Sequence, residues 1–373
     1  MKHLLLLFFL ATTVFATNPL IRPHVFRHQQ HASSLKLFDH LDISKNRNGN
    51  LAFSPLSAVV AMQMARLGTD EKSKTSVEII NVLSPDLPTG LRRDEILVAN
   101  AAFCHEATTI NPEFIASLKE HFNVSAKSLD FTQPEPARAT INAWVAEQTR
   151  DKIRDLLSPG SLSRDSRLVL VNALYFNDDW AVPFQPHKTR ARAFNTASGA
   201  TREIPFMHQT GRFNHAEVDN VQILELPYKN RCVMSLYLPR GNDLSPAFAL
   251  LDKNLSDDLK PTRVSVALPK FKIEWQGSLK SALQALGIRD AFTPDADFSR
   301  ITTGEKLFIS DVFQAVFITV DERGTEAAAA TGAGFSTTGV EITPTVEFIA
   351  DRPFLFTLAT PEQNLLFTGV FRE

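Results

Sequence analysis

Between the apolar runs Val312–Val320 and Phe354–Ala359 lies a stretch that fits no ordinary core element. It reads Asp321-Glu322-Arg323-Gly324-Thr325-Glu326-Ala327-Ala328-Ala329-Ala330-Thr331 and continues into Gly332-Ala333-Gly334-Phe335-Ser336-Thr337-Thr338-Gly339. Alanine favours helix, so one reading is a short Ala helix followed by a loop. As an extended strand, the segment instead places Thr325, Ala327, Ala329 and Thr331 on one face and Glu326, Ala328 and Ala330 on the other. Small side chains on the first face would let it slip between two existing strands with little steric resistance. Roughly thirty residues of Thr- and Gly-rich chain inside a compact domain are functional more often than idle. The feature therefore predicts a fold built around a sheet that can accept another strand.

The rest of the chain supplies such a sheet. Strand signals occur at Arg167–Phe176, Gln222–Pro227, Val233–Pro239, Val264–Leu268, Val312–Val320 and Phe354–Ala359. Helical periodicity marks Ala58–Leu67, apolar on nearly every side and closed by Gly68, then Pro112–His121, Ala139–Leu157 with Trp144 on its apolar face, and Ser278–Leu286. Helices come mostly first and strands mostly later, without regular alternation, which favours α+β over a doubly wound sheet. No repeat, charge block or Pro/Gly-rich linker divides the 373 residues, so one large domain is expected.

A formal charge of −2 gives no field that would recruit nucleic acid or an anionic membrane surface. The two cysteines, Cys104 and Cys232, stand in no zinc or redox spacing and are expected as buried free thiols. Met1-Lys2-His3, the apolar run Leu4–Leu10 and the small-residue site Val14-Phe15-Ala16 fit a secretory signal peptide over residues 1–16, leaving 17–373 as a secreted, extracellular chain. In that compartment Asn123 and Asn254, each in an Asn-x-Ser tripeptide, become glycosylation acceptors.

Signatures of catalysis are missing. No G-x-S-x-G elbow occurs, His105-Glu106 lacks the second His of a zinc-protease helix, and Gly332 and Gly334 precede no phosphate-binding Lys. His24, His28 and His31 share a helical face without an evident fourth ligand, so no metal is expected, and no cofactor either. The chain is not read as an enzyme.

At this point the sequence resembles a serpin along nearly its whole mature length. The hinge from Glu322 to Thr331 is similar to that of inhibitory members, and Phe348-Ile349-Ala350-Asp351-Arg352-Pro353-Phe354 to the family's signature after the reactive loop. Asn50-Leu51-Ala52-Phe53-Ser54-Pro55-Leu56-Ser57, Val171-Asn172-Ala173-Leu174-Tyr175-Phe176 with Trp180, and Leu268-Pro269-Lys270-Phe271 with Leu286-Gly287-Ile288 match in order. The resemblance implies one serpin-type domain of three β-sheets and about eight helices, with an exposed reactive-centre loop at about 322–347. It implies a suicide-substrate inhibitor whose protease target forms a covalent acyl complex while the hinge, Gly324 to Thr331, inserts into the large sheet. Ser54, Ser57, Asn172 and Trp180 are implied where that sheet parts, and Glu322 with Lys270 as a charge pair at its top. A non-inhibitory carrier, chaperone or storage protein is the alternative.

Two departures stand out. Gln314 occupies a position where the family commonly has His, so the polar network under the opening must run through an amide. Between Leu83 and Asn100 there is little room for the additional exposed helix that many relatives carry and that is the usual heparin site in heparin-activated members, and Arg92-Arg93 is a meagre substitute, so no glycosaminoglycan partner is expected. A monomer is expected. Family spacing from Gly324 places the scissile bond at Thr338-Gly339, with Phe335 and Val340 as alternatives. From Thr325 through Asp351 there is no Lys or Arg. A trypsin-like pocket would bury an unpaired carboxylate, so elastase-like or chymotrypsin-like serine proteases are the expected targets.

Overall fold

The strand Leu168–Phe176 is buried at all nine positions, and that uniform burial sets the architecture, because both faces of its sheet must be covered. In the computed structural model, which describes residues 36–38, 40–41, 49–83, 96–325 and 344–373, this strand is the centre of a five-stranded sheet. The order across it is Phe271–Ser278, Ile309–Val320, Leu168–Phe176, Ile96–His105 and Ala126–Leu129. Ile309–Val320 and Leu168–Phe176 run parallel, in register from Val312 opposite Leu170 to Phe317 opposite Tyr175.

Alternation along these strands sorts their side chains. Val169, Val171, Ala173 and Tyr175, with Phe313, Ala315 and Phe317, pack against Ala137, Ile141 and Val145 of the helix Pro134–Gln148. Leu168, Leu170, Leu174 and Phe176, with Val312 and Val316, face the main core. Each buried Leu of this row contributes about 1.5–3 kcal/mol. Asn172 and Gln314 interrupt the same row, 1% and 0% exposed, and so need hydrogen-bond partners.

The main core is shared with a nine-stranded sheet. It runs from Leu51–Phe53 through Leu365–Phe371, Phe354–Ala359, Val233–Pro239, Val221–Pro227, Thr201–Val218 and Lys260–Pro269 to Val346–Ile349, with Arg190–Asn195 on the other side of Thr201–Val218. Between the sheets lies the helix Pro55–Arg66, of which Pro55 through Ala65 are all buried. Ser54 caps it by accepting the Ser57 N–H, and Pro55 fits the first turn, where its missing donor costs nothing. A third, two-stranded sheet pairs Gly324–Thr325 with Asp178–Asp179. The described residues thus carry three sheets, six complete α-helices, part of a further helix at 36–41 and two short 3-10 turns, a mixed α+β fold of the kind expected. Cys104 and Cys232 are buried free thiols, and burial pushes the Cys104 thiol up to about 12.

Two expectations need correction. The helix expected over Ala139–Leu157 is Pro134–Gln148. Arg150 and Asp151 take positive φ, 51° and 61°, and the Thr149 hydroxyl donates to the Val145 carbonyl and accepts the Ile153 N–H. The apolar residues beyond the break, Ile153, Leu156 and Leu157, still pack under the sheet, with Leu157 held through its N–H and carbonyl by the Asn142 amide at 2.9 and 3.0 Å. Burial therefore kept the apolar spacing while the chain left the helix. The strand Thr201–Val218 was not expected, since only part of it is buried and much of its surface is polar.

Candidate functional site

The parallel pair forms a seam through the five-stranded sheet, and the residues singled out for sheet opening lie along it at two levels. At the middle level a polar row crosses four strands in register: Asn100 opposite Asn172, Asn172 opposite Gln314, and Gln314 opposite Gly277. The Gln314 side chain clasps the backbone of Ser54, its Oε1 accepting the Ser54 N–H and its Nε2 donating to the Ser54 carbonyl, both at 2.9 Å. One fully buried amide thus ties a strand of the seam to the cap of the buried helix. Ser54 and Ser57, both buried, complete that cap. On the other strand of the seam, and away from it, Asn172 Nδ2 donates to Asn100 Oδ1 of Ile96–His105 at 2.5 Å, while Asn172 Oδ1 is buried without a donor. Leaving such a group unmet costs about 1–3 kcal/mol, so the closed seam is not at its polar optimum.

At the upper level the chain leaves Val320, turns, and starts a new strand. Glu322 meets Lys270 Nζ at 2.7 Å and accepts the Thr189 hydroxyl at 2.7 Å. Its side chain is only 12% exposed. Burial pushes the Glu322 carboxyl up, but the hydrogen bonds from Lys270 and Thr189 outweigh that, and its pKa lies below the ordinary carboxylate value. The Trp180 indole donates to the Asp321 carbonyl at 2.9 Å, its backbone N–H to the Arg323 carbonyl at 2.6 Å, and the Phe184 N–H to the Glu322 carbonyl at 2.7 Å. Trp180 stacks on Tyr228 with centroids 4.2 Å apart. The Tyr228 hydroxyl in turn meets that of Thr325 at 2.9 Å.

Gly324 and Thr325 are buried and pair antiparallel with Asp179 and Asp178. Gly324 sits at φ +156°, and a side-chain carbon there would stand 2.1 Å from the Asp178 carbonyl oxygen, so only glycine fits. The first rung of a strand between Leu168–Phe176 and Ile309–Val320 is therefore already made, directly above a closed seam.

The structure brings together Ser54, Ser57, Asn172 and Gln314 at the middle and Trp180, Lys270, Glu322, Gly324 and Thr325 at the top. The remaining hinge residues Glu326, Ala327, Ala328, Ala329, Ala330 and Thr331, and the bait candidates Phe335, Thr338, Gly339 and Val340, lie outside the described residues, as do the signal segment, His24, His28, His31 and Arg92-Arg93. Asn123 and Asn254 are both exposed, the first ending the helix Pro112–Phe122 at φ 56°. Sequence reasoning missed Asn100, Thr189 and Tyr228. Asn100 had a signal, a polar residue inside the apolar run from Val98 to Phe103. Thr189 and Tyr228 had none, because their partners lie 133 and 97 residues away.

Comparison with known proteins agrees with this geometry. Residues 28–373 match the Serpin (serine protease inhibitor) family. The leukocyte elastase inhibitor of Xenopus laevis is 35% identical over 355 residues, which cover 87% of this chain and 93% of that protein. The crystal structure of Serpin48 from the insect Tenebrio molitor superposes with TM-score 0.80 at 30% identity, covering 94% and 99% of the two chains. Human thyroxine-binding globulin complexed with thyroxine superposes with TM-score 0.82 at 25% identity, covering 92% and 96%. On the closed seam, the started strand above it and this near-complete match, the chain belongs to the serpin family.

Proposed function

We propose that this serpin is a secreted, monomeric suicide-substrate inhibitor of elastase-like or chymotrypsin-like serine proteases. The family is described as one of serine protease inhibitors, not catalysts. The observation that carries it is the pairing of Gly324–Thr325 with Asp178–Asp179 above a seam whose strands are still joined. A protease that cleaves in the loop at Thr338-Gly339, or at Phe335 or Val340, forms an ester with the bait residue. It frees the chain behind Thr325 to continue down the seam. Some 14 residues at about 3.3 Å each would carry the tethered enzyme roughly 45 Å. The loop's lack of Lys and Arg from Thr325 through Asp351 supports the choice of target, as does the relative named for leukocyte elastase. Asn123 and Asn254 are exposed where N-glycans would sit.

Incubation with elastase, chymotrypsin and trypsin followed by a denaturing gel tests this. Elastase or chymotrypsin is expected to give a covalent complex, and a complex with trypsin alone would overturn the target. The second reading, a carrier, takes support from the likeness to thyroxine-binding globulin. Cleavage within the loop separates the two: an inhibitor gains a large increase in melting temperature, whereas an unchanged melting temperature favours the carrier.

A further inference from the structure

Beside the strand that follows the loop, the outer face of the nine-stranded sheet is basic. Met207, Val264, Val266 and Leu268 of the paired strands Thr201–Val218 and Lys260–Pro269 are buried in the core. Alternation therefore turns His208, Arg212 and Arg263 to the other face, where Arg212 stands directly opposite Arg263 and both are exposed. Arg190 and Arg192, on the neighbouring strand Arg190–Asn195, extend the row. Their nearness is felt at His208, whose imidazole is pushed below its ordinary value by burial first, and then by Arg192 and Arg190.

The fold gains nothing from this arrangement, since like charges directly opposite on neighbouring strands destabilise a sheet. Arg190, Arg192 and Arg263 make no ion pair among the described residues. The carboxylate in register on this face, Glu347, stands on the edge strand Val346–Ile349, opposite Ser265. With a formal charge of −2 for the whole chain, the positive potential is local. It also lies where a docked protease must sit. The bait candidates Phe335, Thr338 and Val340 precede Val346 by six to eleven residues, which span at most about 40 Å. A protease of about 240 residues has a radius of gyration of about 18 Å and is about 45 Å across, so one seated on the bait reaches the row. Because the edge strand follows the scissile bond, the part that meets the arginines is the rim of the cleft that holds the residues after that bond.

We propose that this row is a docking surface for the target protease, which carries a cluster of carboxylates on that rim, and that Arg190, Arg192, Arg212 and Arg263 speed capture by steering the cluster onto the sheet. The proposal rests on the inhibitory reading above and adds a charge criterion to the choice of bait. A polyanion chain is the weaker fit, because the row crosses three strands, about 10 Å, and Glu347 interrupts its outer end.

The probes are chymotrypsin and chymotrypsin whose lysines are succinylated in the zymogen before activation, matched by active-site titration. The rate constant of covalent complex formation with the full chain is measured for each. In low salt the succinylated enzyme is expected to react about tenfold faster than the unmodified one, and this ratio should fall towards one in about 0.5 M salt, where the Debye length is about 4 Å. The triple variant Arg190→Glu, Arg192→Glu, Arg263→Glu should bring the low-salt ratio to one or below. Arg263→Ser relieves the opposed pair, so it should fold at least as stably as the parent and lower the ratio about two- to threefold, which keeps the test open if the triple variant misfolds. Arg164→Glu, Arg300→Glu, Lys306→Glu makes the same change of charge at exposed sites before Leu168 and Ile309, at the far end of the seam from Gly324, and should leave the ratio within about twofold. Equal ratios in the parent and the arginine variants, or an equal loss in the distant variant, overturn the proposal. So does acceleration that requires added heparin, which would assign the row to a polyanion. If neither enzyme forms a covalent complex, the inhibitory reading fails, and the row is tested by itself with succinylated anhydrochymotrypsin, whose reactive serine is gone. Binding that the arginine variants lose then sustains the surface, and no binding overturns it.

Discussion

The top and the middle of the seam are held shut by opposite chemistries. At the top a charged pair, Glu322 with Lys270, is reinforced by the Thr189 hydroxyl and by the stacked Trp180 and Tyr228. In the middle a neutral amide, Gln314, makes two hydrogen bonds to the Ser54 backbone in full burial. The upper contact can be rebuilt by water, because Lys270 is 36% exposed, so its loss costs little. The middle contact has no such substitute, and its loss leaves a buried donor with nowhere to turn. The upper group also titrates and the middle one does not. Acid can therefore loosen the hinge without touching the clasp beneath it.

The largest expected effect is at the clasp. Gln314→Ala removes the acceptor of the Ser54 N–H and opens a cavity, and should cost about 3–5 kcal/mol, read as a lower melting temperature of the uncleaved protein. Gln314→His sharpens the contrast. A His buried there is held neutral in the folded state while the unfolded chain takes up protons near pH 6.5, so stability should fall as pH drops below about 6.5. The parent shows no such slope from this site, and equal slopes for the two proteins between pH 5 and 8 would break the distinction.

Next in size is Gly324→Ala, where the added carbon meets the Asp178 carbonyl at 2.1 Å and the backbone must move. A cost of about 2–3 kcal/mol is expected, together with loss of amide protection at the Thr325 N–H in hydrogen exchange. Glu322→Gln is the smallest, about 1 kcal/mol at neutral pH. Because the folded carboxyl lies below its ordinary value, its stabilisation is present above about pH 4.3 and is lost as pH falls through the folded value. Melting curves from pH 7 to pH 3 should therefore converge for parent and Glu322→Gln at the acid end. A gap that widens in acid would reverse the assignment.

Much of this was legible in the sequence, for a reason that differs between the levels. Strands such as Val233–Pro239 and Phe354–Ala359 declare themselves because both faces are apolar, and the hinge declares itself through its alternation of small residues. Gln314 could be noticed as an amide in an apolar strand, but its partner could not, since it holds the backbone of Ser54, 260 residues away, and a backbone has no sequence signature. The same holds for Tyr228 against Thr325. The helix Pro134–Gln148 was misjudged because Ile153, Leu156 and Leu157 kept an apolar rhythm after the chain had turned at Arg150 and Asp151.

One feature of the topology says why the seam lies where it does. Ile309–Val320 and Leu168–Phe176 point the same way, and the chain reverses at residues 321–323, so a strand continuing from Thr325 runs opposite to both neighbours. Its arrival exchanges one parallel junction for two antiparallel ones, and antiparallel ladders are slightly more stable per residue. At every antiparallel junction of this sheet a third strand would have to run parallel to one of its flanks. The other parallel junction, Ile96–His105 with Ala126–Leu129, involves a four-residue edge strand, so strand direction and central position together mark the line along which the sheet gains by being split, before any side chain is considered.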